Sequence, residues 1–189
     1  MRSKNFSKIN FTVTGGAGLI GSWVVDSLIE EYADRLGKIT ILDNFSRGTI
    51  DNIERTLKNK KVVLVRGDIR EPQVVDDVIK NADYVIHEAA IRITQCAEEP
   101  RLCNEVLVNG TFNVLESCVR HKVKKLVFNS SASVYGNTSY VPMDEGHPFN
   151  NDTAYGAAKI ANESMARAFR TMYGLNYVCL RPFNVYGPR

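Results

Sequence analysis

Hydrophobic and polar positions follow two repeating patterns along the chain. Short, nearly continuous apolar runs are separated by longer stretches in which apolar residues recur every three or four positions. The continuous runs are typical of parallel strands buried on both faces, and the longer period is typical of amphipathic helices. The predicted strands are 8–14, 38–43, 62–65, 82–87, 125–129 and 176–181, and the predicted helices are 18–36, 50–58, 71–80, 98–121 and 152–173.

This alternation of strands and helices predicts an α/β fold, a doubly wound parallel sheet of the Rossmann type with helices on both faces. The 189 residues are enough for one domain with a substantial core, and no repeat, low-complexity tract or linker interrupts the pattern. In such sheets ligands bind beyond the carboxyl ends of the strands. Candidate site residues at these ends are Gly15, Asp43, Asp68, His87, Ser131 and Asn184.

The first predicted strand ends in a glycine-rich turn with the sequence TGGAGLIG. Gly15 permits the tight turn, Gly18 lets a diphosphate approach the backbone, and Gly21 lets the next helix pack closely on the strand. Leu19 and Ile20 open that helix, whose free N–H groups and positive dipole end favour an anion. The pattern predicts a dinucleotide-binding turn, although a tight turn without a ligand would have a similar local sequence.

Asp43 ends the second predicted strand, at the place where a dinucleotide site has an acidic residue. Its carboxylate would accept hydrogen bonds from the adenosine ribose, with Asn44 beside it. Because a carboxylate repels a 2′-phosphate, we expect the cofactor to be NAD rather than NADP. Arg47 keeps the second possibility open, since its cation could hold that phosphate.

Two further strand ends carry candidate residues for the same cofactor. Asp68 and Ile69 follow the third strand, where the carboxylate could meet the adenine amino group or simply stabilise a turn or helix cap. Ala89 and Ala90 follow the fourth strand, and their small side chains suggest close approach of the backbone to a flat group. His87, just before them, is interpreted as a packed, hydrogen-bonded histidine rather than a catalyst.

Three side chains form a candidate catalytic set. Tyr155 and Lys159 lie four residues apart on a predicted helix and therefore share a face, and Ser131 follows the fifth strand. A tyrosine phenol titrates near pH 10, so a general base at neutral pH needs that pKa lowered by roughly three units. We expect the ammonium of Lys159 and an oxidised nicotinamide to lower it. Without the dinucleotide turn, a Tyr and a Lys at this spacing would be an ordinary surface pair.

Composition narrows the range of functions. The net charge of +3 and the isoelectric point near 8.6 are too mild to indicate a nucleic-acid or membrane partner. No apolar run is long enough to span a bilayer, and no secretory signal is evident, so we expect a cytoplasmic protein. The four cysteines show no CxxC pair and no nearby histidine, so we expect reduced thiols and no metal site; they are Cys96, Cys103, Cys118 and Cys179.

An ordered set of motifs runs through the whole chain: TGGAGLIG, GDIR, HEAA, VNGT, SSASVYG, YGAAK and RPFNVYGPR. As a set they resemble the extended short-chain dehydrogenase/reductase family of NAD-dependent nucleotide-sugar epimerases and dehydratases. The resemblance implies a bound cofactor that takes hydride from C4 of a nucleotide-linked sugar and returns it. It also implies a homodimer formed through the two long helices.

The resemblance assigns roles to the candidate residues. Ser131 and Tyr155 would contact the sugar hydroxyl and Ser133 would line the substrate site. Lys159 would bind the nicotinamide ribose, and Asn184 would lie at the diphosphate side of the substrate.

Three departures from the family pattern affect the expected function. Leu107 stands where the family usually has Asn, which removes a polar contact near the site. Ala132 and Ser133 stand where sugar 4,6-dehydratases have an Asp-Glu pair for elimination of water, so a 4-epimerase is favoured over a dehydratase or a decarboxylase. The family continues past the GPR motif, so we expect residues 1–189 to form the NAD-binding domain without the C-terminal substrate-binding portion. A non-catalytic NAD-binding or redox-sensing module is the alternative from another class.

Overall fold

The computed structural model describes residues 7–189. Within this part of the chain six parallel strands form one sheet in the order β3-β2-β1-β4-β5-β6. This is the doubly wound order predicted from the sequence, and the strand order reverses between β1 and β4. The strands are β1 (Ile9–Thr14), β2 (Leu36–Asp43), β3 (Val62–Arg66), β4 (Tyr84–His87), β5 (Lys125–Asn129) and β6 (Tyr177–Leu180).

Helices connect the strands and cover both faces of the sheet. They are α1 (Leu19–Glu31), α2 (Glu54–Leu57), α3 (Pro72–Ile79), α4 (Ile93–Glu98), α5 (Pro100–Cys103), α6 (Thr111–Arg120) and α7 (Ala154–Tyr173). A π-helical segment, Asn104–Gly110, joins α5 to α6, and a single 3-10 turn, Ala132–Val134, follows β5. None of the helices in residues 7–189 combines the length and the apolar composition that crossing a membrane requires.

Two apolar clusters form the core, one on each side of the sheet. The first joins α1 to alternate residues of β1 and β2, including the fully buried Val13 and Ile41. The second joins α3, α6 and α7 to residues of β4 and β5 such as Val85 and Leu126. Since successive strand residues point to opposite faces, β2, β3 and β4 contribute to both clusters, which explains their nearly continuous apolar runs.

Several predicted helix boundaries were wrong. The first helix ends at Glu31 rather than near 36, because Leu36 already pairs with Ile9 in the sheet. The segment predicted as a helix over 50–58 is helical only in α2.

The long helix predicted over 98–121 is present from Pro100 to Arg120, as α5, the π-helical segment and α6, and it begins two residues later than predicted. Glu99 has a non-helical backbone with φ −128° and ψ 68°, which separates α4 from α5. The residue before a proline is disfavoured in the helical conformation, and Pro100 follows directly.

The expectation of reduced thiols was wrong for one pair of cysteines. Cys96 in α4 and Cys103 in α5 form a disulfide across the break at Glu99, whereas Cys118 and Cys179 are free. The seven-residue separation is not a metal-binding or redox motif, so spacing alone did not reveal the pairing. The predicted cytoplasmic location stays a prediction.

Candidate active site

A cavity of about 710 Å³ lies beyond the carboxyl ends of the strands. Every residue predicted from the sequence as part of a site lines this cavity: Gly15, Gly18, Leu19, Ile20, Gly21, Asp43, Asn44, Asp68, Ile69, Ala89, Ala90, Ser131, Ser133, Tyr155, Lys159 and Asn184. The fold therefore brings together side chains and backbone groups that are widely spaced in the sequence. No cluster of His, Cys, Asp and Glu in the described residues could hold a metal ion.

The glycine turn between β1 and α1 forms one wall. Gly15 has φ +68°, and a Cβ atom there would lie 2.6 Å from the backbone nitrogen of Ala89. A Cβ atom on Gly21 would overlap the carbonyl oxygen of Gly15 and lie 2.8 Å from the Cα of Gly16. Gly18 caps the amino end of α1 and faces the cavity. The tight turn and the close helix packing predicted for Gly15 and Gly21 are therefore both present.

Asp43 ties this turn to the end of β2. It is only 7% exposed. One carboxylate oxygen accepts a 2.8 Å hydrogen bond from the backbone N–H of Ala17, and the other accepts a 2.8 Å bond from that of Phe45. Each oxygen keeps a further lone pair, so the carboxylate can accept hydroxyl hydrogen bonds from a ligand while it holds the turn.

Asp68 is held by its own neighbours. Its carboxylate accepts hydrogen bonds from the backbone and guanidinium of Arg70 and from the amide of Asn44. Burial acts to raise the pKa of Asp68, but these bonds and the charge of Arg70 lower it to about 2. Asp68 thus stabilises the turn through its bonds to Arg70, and it also lines the cavity.

Two arginines, Arg47 and Arg92, also line the cavity. Within the described part of the chain, no carboxylate oxygen lies within 4.0 Å of either guanidinium. Burial and the charge of Arg92 both lower the pKa of Arg47. Two cations that face one cavity without an acidic partner favour an anionic ligand. Sequence reasoning considered Arg47 only for a 2′-phosphate and missed Arg92, because nothing in the pattern separated it from a surface arginine.

Helix α7 positions the catalytic candidates. The hydroxyl oxygen of Thr153 accepts a 3.1 Å hydrogen bond from the N–H of Gly156 at its start, and Gly174 ends it in the left-handed conformation. Tyr155 lies in the first turn and Lys159 one turn later. The Lys159 Nζ lies 5.6 Å from the centre of the Tyr155 ring.

The Tyr155 phenol is a weaker acid than expected from the sequence. Burial raises its pKa, while the hydroxyl of Ser131 and the charge of Arg47 act to lower it. Burial also lowers the pKa of Lys159 to about 8, against the charge of Glu88, which raises it. The protein groups alone therefore do not lower the pKa of the Tyr155 phenol toward neutrality.

His87 has the packed role expected from the sequence. It is 5% exposed and hydrogen-bonds through its two ring nitrogens to the hydroxyls of Thr14, at 2.6 Å, and Thr111, at 3.0 Å. Burial and the charge of Lys159 lower the pKa of the imidazole to about 3, so it is neutral at physiological pH.

Two further residues bear on the site: Leu107, which lies in the core behind it, and Glu88, which lines the cavity. Leu107 is buried in the π-helical segment and packs in the core, so it makes no polar contact near the cavity. Glu88 lines the cavity and accepts a hydrogen bond from Asn129. Sequence reasoning treated residue 88 only as part of a motif, because a glutamate after a strand looks like a solvent-exposed residue.

Comparisons with known proteins agree with this geometry. Residues 11–189 match the model of the NAD dependent epimerase/dehydratase family. Over 178 residues the chain is 36% identical to the UDP-glucose 4-epimerase of Halalkalibacterium halodurans, covering 93% of this chain and 50% of that protein.

Two solved structures share the fold closely. One is a UDP-N-acetylglucosamine 4-epimerase from Methanobrevibacter ruminantium M1 in complex with UDP-N-acetylmuramic acid, with a TM-score of 0.89 and 34% identity. It is matched over 97% of this chain and 57% of its own. The other is a dTDP-glucose 4,6-dehydratase from Streptomyces venezuelae with NAD and TYD bound, with a TM-score of 0.89 and 29% identity over 95% of this chain and 57% of its own.

The chain thus spans about half the length of these relatives, which include both epimerases and a dehydratase. The family match extends over almost all of the chain, and the cavity lies where parallel sheets of this order bind dinucleotides. The resemblance inferred from the motifs is confirmed. The chain belongs to the NAD-dependent epimerase/dehydratase family, within the extended short-chain dehydrogenases/reductases, and the cofactor of this family is NAD.

Proposed function

We propose that residues 1–189 form the NAD-binding and catalytic part of a nucleotide-sugar 4-epimerase that uses Tyr155 as its base. The observation that carries this proposal is the single cavity that joins the glycine turn to Ser131, Tyr155 and Lys159. A cofactor site without catalysis would not need a tyrosine and a lysine on the same face of α7.

The residues present fit NAD. Side chains at positions 15 and 21 would fill or distort the turn, so the backbone is open to a ligand only because both residues are glycine. We propose that Asp43, Asn44, Asp68 and Ile69 hold the adenosine end, and that Leu19, Ile20 and Gly18 border the diphosphate. Ala89, Ala90 and Lys159 would lie against the nicotinamide ribose. The carboxylate of Asp43 disfavours a 2′-phosphate, which supports NAD over NADP.

The chain's own residues supply the proton chemistry. NAD, when bound, accepts and returns the hydride. Tyr155 takes the proton from the sugar 4-hydroxyl, and the Ser131 hydroxyl holds the same oxygen. Lys159 donates a hydrogen bond of 2.7 Å to the main-chain carbonyl of Asn129, which fixes its ammonium beside the tyrosine ring. The charge of Arg47 stabilises the ionised phenol and opposes the effect of burial, and we propose that the ammonium of Lys159 acts in the same direction.

The neighbours of Ser131 favour epimerisation over elimination of water. Ala132 has no ionisable group, and Ser133 donates its backbone N–H to the Ser131 hydroxyl at 3.1 Å. Loss of water from the sugar needs a group that exchanges a proton near neutral pH, and neither residue provides one. Ser133 and Asn184 line the cavity and are proposed to contact substrate. A 4,6-dehydratase is the second candidate, because one of the structural relatives is such an enzyme.

Product analysis tests this proposal. The complete protein is incubated with UDP- and dTDP-linked hexoses, and the products are separated by chromatography. We expect a C4 epimer of a UDP-linked sugar. A 4-keto-6-deoxy product would contradict the epimerase assignment and favour the dehydratase, and released carbon dioxide would favour a decarboxylase. NAD binding without conversion of any sugar nucleotide would favour a non-catalytic module.

We also propose that the protein forms a homodimer through α6 and α7. Their exposed faces carry three large apolar residues, Phe112, Met172 and Tyr173. The rings of Phe112 and Tyr173 both pack against Phe169, so they belong to one apolar surface, which is typical of an interface. Sedimentation equilibrium tests this proposal: we expect a dimer that Phe112→Asp dissociates, and a monomeric wild-type protein would contradict it.

A further inference from the structure

A half-buried acidic residue, Glu88, lies beside the catalytic candidates and has no role in the proton transfer described above. Glu88 follows β4 and continues its pairing with β1, since its backbone N–H donates a 3.0 Å hydrogen bond to the carbonyl of Thr14. Its side chain lines the cavity rather than the outer surface. Removing a carboxylate from water without a partner is costly, so a half-buried glutamate that faces the cavity is stabilised by a hydrogen-bond donor.

The partner is Asn129, at the end of β5. The side-chain amide of Asn129 donates a short hydrogen bond to the Glu88 carboxylate. The main-chain carbonyl of the same residue accepts the 2.7 Å hydrogen bond from the Nζ of Lys159. Asn129 therefore holds an acidic group on one side and a basic group on the other. Glu88 directly follows β4, Asn129 ends β5 and Lys159 lies on α7, and all three residues line the cavity.

The titratable groups closest to Glu88 and Lys159, His87 and Cys179, are uncharged and therefore do not balance the charge of Lys159. Lys159 is 4% exposed. His87 on β4 is neutral, since its pKa is lowered to about 3 by burial and by the charge of Lys159. Cys179 on β6 is a neutral thiol, since burial and the charge of Glu163 raise its pKa to about 11. Burial raises the pKa of Glu88 to about 7, although Lys159 and Asn129 act to lower it. Glu88 is thus the acidic residue whose charge raises the pKa of Lys159.

We propose that Glu88 is a positioning residue that acts through Lys159: its carboxylate, held by Asn129, keeps the buried ammonium charged at the cavity wall. The consequence for catalysis rests on the proposed function, in which a charged Lys159 stabilises the ionised form of Tyr155. The charge of Lys159 itself can be measured without turnover. Glu88 touches neither the phenol nor any reacting atom in this scheme.

Nuclear magnetic resonance titration of the protein with ¹³Cε-labelled lysine tests the proposal. The Lys159 signal is assigned by its absence from Lys159→Arg. Glu88→Gln keeps the size of the side chain and its ability to accept a bond from Asn129 but removes the charge. We expect Lys159 to titrate about one pH unit lower in this variant, a tenfold smaller ratio of charged to neutral lysine at a given pH.

Two variants serve as controls for this titration. Glu88→Asp keeps the charge and should restore most of the wild-type midpoint. Glu116→Gln removes the same charge from an exposed site on α6 and should leave the midpoint unchanged. A Lys159 midpoint in Glu88→Gln equal to that in Glu116→Gln would overturn the proposal.

If Glu88→Gln does not fold, the reciprocal experiment on Lys159 tests the same coupling. In Lys159→Met, the carboxyl of Glu88 should titrate at higher pH than in the wild type, because the charge of Lys159 lowers its pKa. An unchanged Glu88 midpoint would contradict the coupling. Neither titration depends on the reaction catalysed, so a failed product assay and a failed titration point to different errors.

Discussion

The ionisable groups at the two ends of the cavity differ in their hydrogen-bond partners and in the direction of their pKa shifts. At the adenosine end, Asp43 and Asp68 accept hydrogen bonds from backbone N–H groups and from Arg70 of the same chain. At the catalytic end, burial raises the pKa of Glu88 to about 7 and lowers that of Lys159 to about 8. The first end is preorganised to hold a ligand, and the second keeps groups that can change protonation near neutral pH.

The largest expected effect is a loss of turnover at the catalytic end that leaves NAD binding at the adenosine end nearly unchanged. Tyr155→Phe removes the proposed base, so we expect turnover to fall by at least ~100-fold, and NAD affinity to change by less than about threefold. Steady-state kinetics and calorimetric titration with NAD measure the two quantities. Tyr173→Phe, at the exposed end of the same helix, serves as the control. Unchanged turnover in Tyr155→Phe would show that the phenol is not the base.

The glycine turn gives the next largest effect, at the other end. Gly21→Ala places a methyl group against the Gly15 carbonyl, so we expect the free energy of unfolding to fall by about 1–3 kcal/mol. NAD affinity should fall with it because the turn must shift. Denaturant unfolding and NAD titration check both effects. Gly187→Ala is the matched change in open space, and equal losses in the two variants would contradict the packing role of Gly21.

The two arginines test where the anionic part of the ligand binds. Arg47→Ala and Arg92→Ala should each weaken NAD binding by roughly 10- to 100-fold, since a hydrogen bond to a charged group contributes about 1.5–3 kcal/mol. The loss should shrink as salt concentration rises. Arg101→Ala, on the exposed face of α5, should leave affinity unchanged. Full affinity in both cavity variants would show that neither guanidinium contacts NAD.

Asp68 tests the adenosine end with the smallest effect among the substitutions. Its pKa is lowered to about 2 in the folded protein, so the stabilisation by the ionised form is present above its unfolded pKa of about 4 and is lost as the pH falls to about 2. Asp68→Asn should therefore lower the free energy of unfolding at pH 7 by about 1 kcal/mol, allowing for the partly exposed Arg70. The difference from the wild type should disappear near pH 2. A pH-independent difference would rule out the charge as its cause.

The sequence predicted the fold and the membership of the cavity well, but not the electrostatics inside it. Glycine spacing and strand ends are local features, so Gly15, Gly21 and Asp43 were found from the pattern alone. The pKa of Tyr155 depends on burial, and the pairing of Glu88 with Asn129 depends on contacts between β4 and β5. Neither is a property of residue spacing. The disulfide was missed because the seven-residue separation does not show that Cys96 in α4 and Cys103 in α5 lie close together, and the helix was predicted to continue through the break at Glu99.

The imidazole of His87 makes the fold sensitive to mild acid. It joins β1 to the start of α6 through Thr14 and Thr111, and it must stay neutral to do so without a buried charge. Its pKa is about 3 in the folded protein and about 6.5 in an unfolded chain, so unfolding takes up a proton between these values. His87 should therefore contribute a progressive loss of stability from pH 6.5 downward, before a carboxylate of low pKa such as Asp68 is neutralised, whereas the raised pKa of Glu88 acts in the opposite direction. Thermal unfolding across this range would show the loss, and His87→Gln should flatten the pH dependence.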